Sequence, residues 1–254
     1  VAAAILGDPS RVRIVPSSTQ QRFTMLQSGE IDMLSRTTTW TLARESSLGL
    51  AFAGINVYDG QGFMVHRDSN VTSARQLDGA TVCVQPGTTT ELNMADFFRT
   101  NRLRYTPVVI ENIEEIRSAF INRRCDAYTN DASSLASFAA SQGANASRYL
   151  LLPEIISKEP LGPVVRKGDW RFFDIVRWTH FALVTAEELG ITAANIDSFA
   201  NSTNPDVLRF LGRTGDLGRT LGLDNDWAVR VVRAVGNYGE VWERNMTPIG
   251  FTRG

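Results

Sequence analysis

Thr37-Thr38-Thr39-Trp40-Thr41 sets four hydroxyls in five residues, and Arg44 stands five positions beyond Thr39. Hydroxyls and backbone N–H groups of such a turn can approach a carboxylate from one side while a guanidinium fork grips both oxygens from the other. That is recognition chemistry for something small and anionic at one end. Thr-rich turns and arginines at helix starts are also ordinary surface features, so the motif needs its context to carry a function.

The 254 residues are 43% apolar and 21% charged with a formal net charge of -1, the composition of a globular chain that can form two lobes or one large domain. There is no basic excess to collect phosphates, which argues against nucleic acid as a partner. No apolar run reaches the roughly 18 residues of a membrane span. His66 and His180 are the only histidines, and no His/Cys set has metal-ligand spacing, so neither a metal nor a cofactor is expected. Cys83 and Cys125 both lie at strand-like apolar runs. Two strands of one sheet could bring them together as a disulfide worth a few kcal/mol in an oxidising compartment. A pair of buried free thiols is the other reading.

The elements that must position these residues alternate. Residues 1–9 read as the end of a helix closed by Gly7, followed by a strand over 12–15, a helix over 19–27 stopped by Gly29, and a strand over 31–35. Strands are expected at 48–53 and 62–66, separated by the loop Tyr58-Asp59-Gly60-Gln61-Gly62. From residue 74 to about 152, short helices alternate with strands over 81–85, 107–110 and 126–129, the pattern of a parallel sheet flanked by helices. In such sheets ligands meet the loops at the carboxyl ends of the strands, here after Gln85 and after Thr129. A strand near 160–165 then leads into a long amphipathic helix over 170–189 carrying Phe173, Val176, Phe181 and Val184 on one face. Further helices follow, one of them capped by Asp224 or Asn225. The economical arrangement is an α/β fold of two lobes, with lobe 1 from residues 1–66 and 162–254, lobe 2 from 67–161, and hinge strands near 65–67 and 161–165.

Several words run in order along nearly the whole chain: Arg22-Phe23-Thr24-Met25-Leu26-Gln27-Ser28-Gly29-Glu30-Ile31-Asp32, Leu34-Ser35-Arg36-Thr37-Thr38-Thr39-Trp40-Thr41, Tyr58-Asp59-Gly60-Gln61-Gly62-Phe63-Met64-Val65, Val84-Gln85-Pro86-Gly87-Thr88-Thr89-Thr90-Glu91 and Leu221-Gly222-Leu223-Asp224-Asn225-Asp226-Trp227. In these the chain resembles the periplasmic solute-binding proteins of polar amino-acid ABC transporters, and within them the general L-amino-acid subfamily. The resemblance implies a type II periplasmic-binding-protein fold with a C-terminal helical extension. It also implies an L-amino acid as ligand, transporter permease subunits as partners, and a periplasmic location.

Carried over by position, Arg44 matches the arginine that binds the ligand α-carboxylate, and Thr37 and Thr39 match residues that complete that contact. Thr88 and Thr89 match a turn adding donors from a helix N-terminus, and Asp131 matches the acid that pairs with the α-ammonium. Gln85 and Asn130 match positions facing the ligand side chain. The residue-level alternative for Asp131 is an ordinary helix N-cap. The loop leading into the first lobe's helix, Ser17-Ser18-Thr19-Gln20, lacks the aromatic that family members commonly stack on the ligand, which agrees with broad specificity.

The family pattern also includes a signal peptide and a central first strand ahead of the place where Val1 stands. The expectation is therefore an N-terminally truncated architecture whose missing strand comes from another subunit, as in a swapped dimer, from a rearranged segment, or not at all. Two other functions remain open on this scaffold. One is a shortened paralogue acting as a protein-interaction or oligomerising module; the other is a dehydratase of the cyclohexadienyl type, which would need a positioned acid or base.

Overall fold

The computed structural model describes residues 1–253. Two lobes meet at a pair of crossing strands. The smaller sheet contains β1 (Met33–Leu34) and β2 (Leu50–Phe52), with β10 (Val164–Arg166) antiparallel between them. Helices α1 (Ala2–Leu6), α2 (Arg22–Ser28), α3 (Leu42–Ser47) and α7 (Trp170–Glu188) surround it. Leu26, Leu34, Leu50, Phe52 and Val164 form one core cluster, while Ala51, Ala53, Val165, Phe173 and Val176 form another. Each large apolar side chain buried in this way stabilises the fold by about 1.5–3 kcal/mol.

The larger sheet runs β6-β5-β7-β4-β8. Strands β5 (Ala80–Val84), β6 (Tyr105–Val109) and β7 (Ala127–Asp131) lie parallel, as the alternation of strands and helices implies. At the other side, β4 (Gln61–His66) pairs antiparallel with both β7 and β8 (Tyr149–Leu151), so the sheet is mixed. Helices α4 (Thr89–Thr100), α5 (Ile113–Ile121) and α6 (Ala132–Ser141) follow β5, β6 and β7. Cys83 and Cys125 form a disulfide across this sheet, with Cα atoms 5.6 Å apart, which decides between the two readings of the pair.

The lobes are joined by β3 (Val57–Asp59) and β9 (Glu159–Leu161), which pair antiparallel. This moves the boundary. Residues 61–66, assigned to lobe 1 by the sequence pattern, are β4 of the larger sheet, and the hinge expected at 65–67 lies instead at 57–60. Gly60 makes the sharp passage from β3 to β4, where an added Cβ would stand 2.2 Å from the Ile155 side chain and 2.8 Å from the Ser157 carbonyl. On the return crossing, a Cβ on Gly162 would collide with the Gly54 carbonyl oxygen at 1.8 Å.

Two local expectations fail for physical reasons. Residues 12–15 form no strand; Val12 and Ile14 are 55% and 79% exposed, because β-like alternation without a pairing edge leaves the backbone irregular. The C-terminal part contains α8 (Pro205–Phe210), α9 (Leu217–Thr220), α10 (Trp227–Val235) and α11 (Tyr238–Asn245), packed on α7 through Ala186, Ile191, Val229 and Val232. Helix α10 starts after Asp226 rather than Asp224 or Asn225, and Asp224 pairs with Arg230 at 2.7 Å instead of capping.

Candidate functional site

The Thr-rich turn is strapped to the crossing strand. Trp40 N–H donates to the Pro160 carbonyl at 2.9 Å, Gly162 N–H donates to the Thr38 carbonyl at 3.4 Å, and Thr39 bridges Leu161. Thr41 caps α3 by accepting from Arg44 N–H at 3.2 Å, which places Arg44 in the first turn of that helix. Its side chain then folds back over the Phe23 ring, 5.2 Å from the centroid, and donates to the Thr39 carbonyl at 2.9 Å. One guanidinium nitrogen is thereby anchored, and the remaining donors of the fork are free of partners among the described residues.

Opposite this turn, Gln85 follows the end of β5 at Val84 and α4 begins at Thr89. Thr88 accepts from Glu91 N–H at 3.0 Å as N-cap and donates to the Gln85 carbonyl at 2.8 Å, so its hydroxyl is spent on the helix. The amides of Thr89 and Thr90 have no acceptor among the described residues and form the positive end of a twelve-residue helix.

Asp131 ends β7 and occupies the N-cap position of α6, yet it caps nothing. Asp59, from the crossing strand, takes that role: its carboxylate accepts from Ser133 N–H at 3.3 Å, and Gly60 contributes its carbonyl to Ala132 N–H at 2.7 Å. The Asp131 carboxylate is left without a hydrogen bond among the described residues and faces the space between the lobes. Burial, then the negative Asp59 and Glu159, raise its pKa to about 7 against the pull of Arg22 and Arg44.

All eight residues singled out in the sequence (Thr37, Thr39, Arg44, Gln85, Thr88, Thr89, Asn130 and Asp131) line one cavity of about 250 Å³ between the lobes. Like Thr88, Gln85 and Asn130 have side chains already committed. Gln85 Nε2 donates to the Thr19 hydroxyl at 3.2 Å and to the Glu111 carbonyl at 2.7 Å. Asn130 donates to the Tyr128 hydroxyl at 2.8 Å and accepts from Asp131 N–H at 2.9 Å.

Sequence reasoning passed over Arg22, Arg36, Arg117 and Ser134, which line the same cavity. Arg22 and Arg36 sit inside the quoted words, flanking the motif, but nothing local aims them inward. Burial and repulsion from Arg44 and Arg36 lower Arg22 to about 9, and burial lowers Arg36 and Arg44 as well. Guanidinium groups held together in this way create a site that an anion relieves.

Behind the cavity, Glu159 is fully buried on the crossing strand. Its carboxylate accepts from Thr39 Oγ1 at 2.5 Å, Thr89 Oγ1 at 3.3 Å, Asn93 Nδ2 at 2.9 Å and Ser157 Oγ at 2.5 Å. Thr39 belongs to one lobe while Thr89 and Asn93 belong to the other. Their two hydroxyls stand 3.3 Å apart, so the lobes are closed on each other.

Comparison with known proteins places this geometry. The chain is 55% identical over its full length to the general L-amino-acid-binding periplasmic protein AapJ of Rhizobium johnstonii, covering 76% of that relative. It is 56% identical to the glutamate/glutamine/aspartate/asparagine-binding protein BztA of Rhodobacter capsulatus, again covering 76%. The chain belongs to the periplasmic amino-acid-binding proteins of ABC transporters. A solved member of this group, an ABC transporter periplasmic binding protein from Brucella ovis with glutathione bound, superposes on the whole chain with a TM-score of 0.96 at 55% identity, the chain covering 81% of it. No family model matches the sequence. The two-lobed type II fold of this family is the one described above, and no described helix is long and apolar enough to cross a membrane. Among the described residues no His, Cys, Asp or Glu cluster is placed to hold a metal.

Proposed function

We propose that this chain is the periplasmic receptor of an ABC importer and takes L-amino acids into the cleft between its lobes. Arg44, with Thr37, Thr39 and the amides of Thr89 and Thr90, holds the α-carboxylate, and Asp131 holds the α-ammonium. The observation that carries this reading is the uncapped Asp131 carboxylate, freed by Asp59 and facing the same cavity as Arg44. Opposite charges lining one cavity from the two lobes suit a zwitterion, and only the closed form brings both to one molecule.

The ligands of the relatives support the reading: two are named for the amino acids they bind, and the glutathione held by the Brucella ovis protein carries an amino-acid end with both groups free. Gln85 and Asn130 border the ligand's side-chain region with their amide nitrogens already bonded within the protein, which suits broad specificity. Permease subunits are the partners of this function, and no chemical step is assigned to the cleft. The comparisons favour neither a dehydratase nor a module detached from transport.

Titration calorimetry with the common L-amino acids tests the proposal. Binding is expected for several of them, and Arg44→Ala is expected to weaken it by about a hundredfold or more, because removing one partner strands a buried charge. Absence of heat with every amino acid on folded protein overturns the receptor reading. Retained affinity in Arg44→Ala moves the carboxylate grip elsewhere.

A further inference from the structure

The cavity lining carries more positive charge than a zwitterion can use. Arg22, Arg36, Arg44 and Arg117 face it against a single acid, Asp131. An α-amino acid occupies Arg44 and Asp131 and leaves three guanidinium groups over. Arg22 donates to the Thr37 carbonyl at 3.1 Å and lies over the Phe23 ring at 4.8 Å, with its buried Nε unpartnered among the described residues. Arg36 is different. Its Nη2 donates to the Thr19 hydroxyl at 2.8 Å, while Nη1 is buried and donates to nothing among the described residues. Arg117, from α5 on the opposite lobe, has a buried Nε with no partner among the described residues and lies over the Phe138 ring at 5.6 Å; its one acid partner among them, Glu114, is on the exposed side of the helix at 2.9 Å.

We infer that Arg36 and Arg117 form a second anionic subsite, which takes a second carboxylate of the ligand and makes acidic amino acids preferred over their amides. The inference rests on the amino-acid reading above. Each lobe supplies one guanidinium, so this carboxylate, like the first, is held fully only when the lobes close. A neutral amide at the same place forfeits the charge-assisted bonds. Of the two amide side chains in the lining, the Gln85 Nε2 and both ends of the Asn130 amide are already bonded within the protein, which leaves only the Gln85 Oε1 to read it.

A side-chain carboxylate and the distal carboxylate of a γ-linked peptide present the same chemistry. Calorimetric titrations with L-glutamate, L-glutamine and γ-glutamylglycine therefore form the test. The protein is expected to bind L-glutamate, γ-glutamylglycine or both at least about tenfold more tightly than L-glutamine. The acidic ligand that shows the preference identifies the source. In Arg36→Gln that ratio is expected to fall to within about threefold. Should Arg36→Gln fail to fold by circular dichroism, Arg117→Gln makes the same test from the other lobe. Equal affinity for L-glutamate, γ-glutamylglycine and L-glutamine overturns the second subsite while leaving the receptor reading intact, as does an unchanged ratio in the folded variant. No binding by any of the three overturns both.

Discussion

Asp131 is the residue whose charge state the cleft leaves poised. With its pKa raised to about 7 by burial and by Asp59 and Glu159, it is largely protonated below neutrality in the ligand-free protein. An α-ammonium requires the charged form, so binding at about pH 6 is expected to release close to one proton per ligand. Calorimetry in two buffers of different ionisation heat measures this directly; identical heats would contradict it. Affinity is expected to fall by roughly tenfold per pH unit below about 7. The stability sign is the reverse of the usual carboxylate case. Between its ordinary value near 3.8 and about 7 the folded chain retains a proton that the unfolded chain has lost, so this group's contribution to stability is complete at low pH and fades as pH rises through 7. The residue types of the site were legible in the motifs. The freedom of Asp131 was not, because the group that relieves it of capping, Asp59, lies 74 positions before Ser133 and reaches it only through the fold.

At the scale of elements, the crossing strand β9 does more than connect. Glu159 gathers donors from the Thr-rich turn on one side and from α4 on the other, so its bonds close only when the lobes do. Glu159→Ala is expected to leave these donors unpaired, to enlarge the ligand-saturated radius of gyration in solution scattering, and to weaken ligand by about tenfold or more. Unaltered compaction and affinity would show that closure does not depend on it. Strands of the larger lobe were readable because apolar periodicity and turn residues agree there; β5, β6 and β7 lie within two residues of their expected limits. The crossing was only partly readable: a strand near 160–165 was expected, but not the place of Glu159 at its start. Glu159-Pro160-Leu161 combines a buried acid with a proline that offers no N–H, a pattern that argues against a paired strand when seen alone. Apart from Ser157, the groups that satisfy its acid lie far away in sequence.

Over the whole molecule, the two lobes differ in how the chain builds them. The larger sheet comes from one unbroken stretch, Gln61 to Leu151, and its disulfide lies inside that stretch. The smaller sheet cannot be finished that way, since β10 arrives from beyond it and seats between β1 and β2. Folding units within a chain form as their residues become available. Amides of β5 and β7 are thus expected to gain protection before those of β2 in pulsed hydrogen exchange during refolding, and simultaneous protection would argue against the order. In a chain growing from its first residue, the wall bearing Thr88, Thr89 and Asp131 can stand complete while the one bearing Arg44 still waits for Val164 to emerge. The carboxylate grip that opens the sequence is then among the last parts of the molecule to be made.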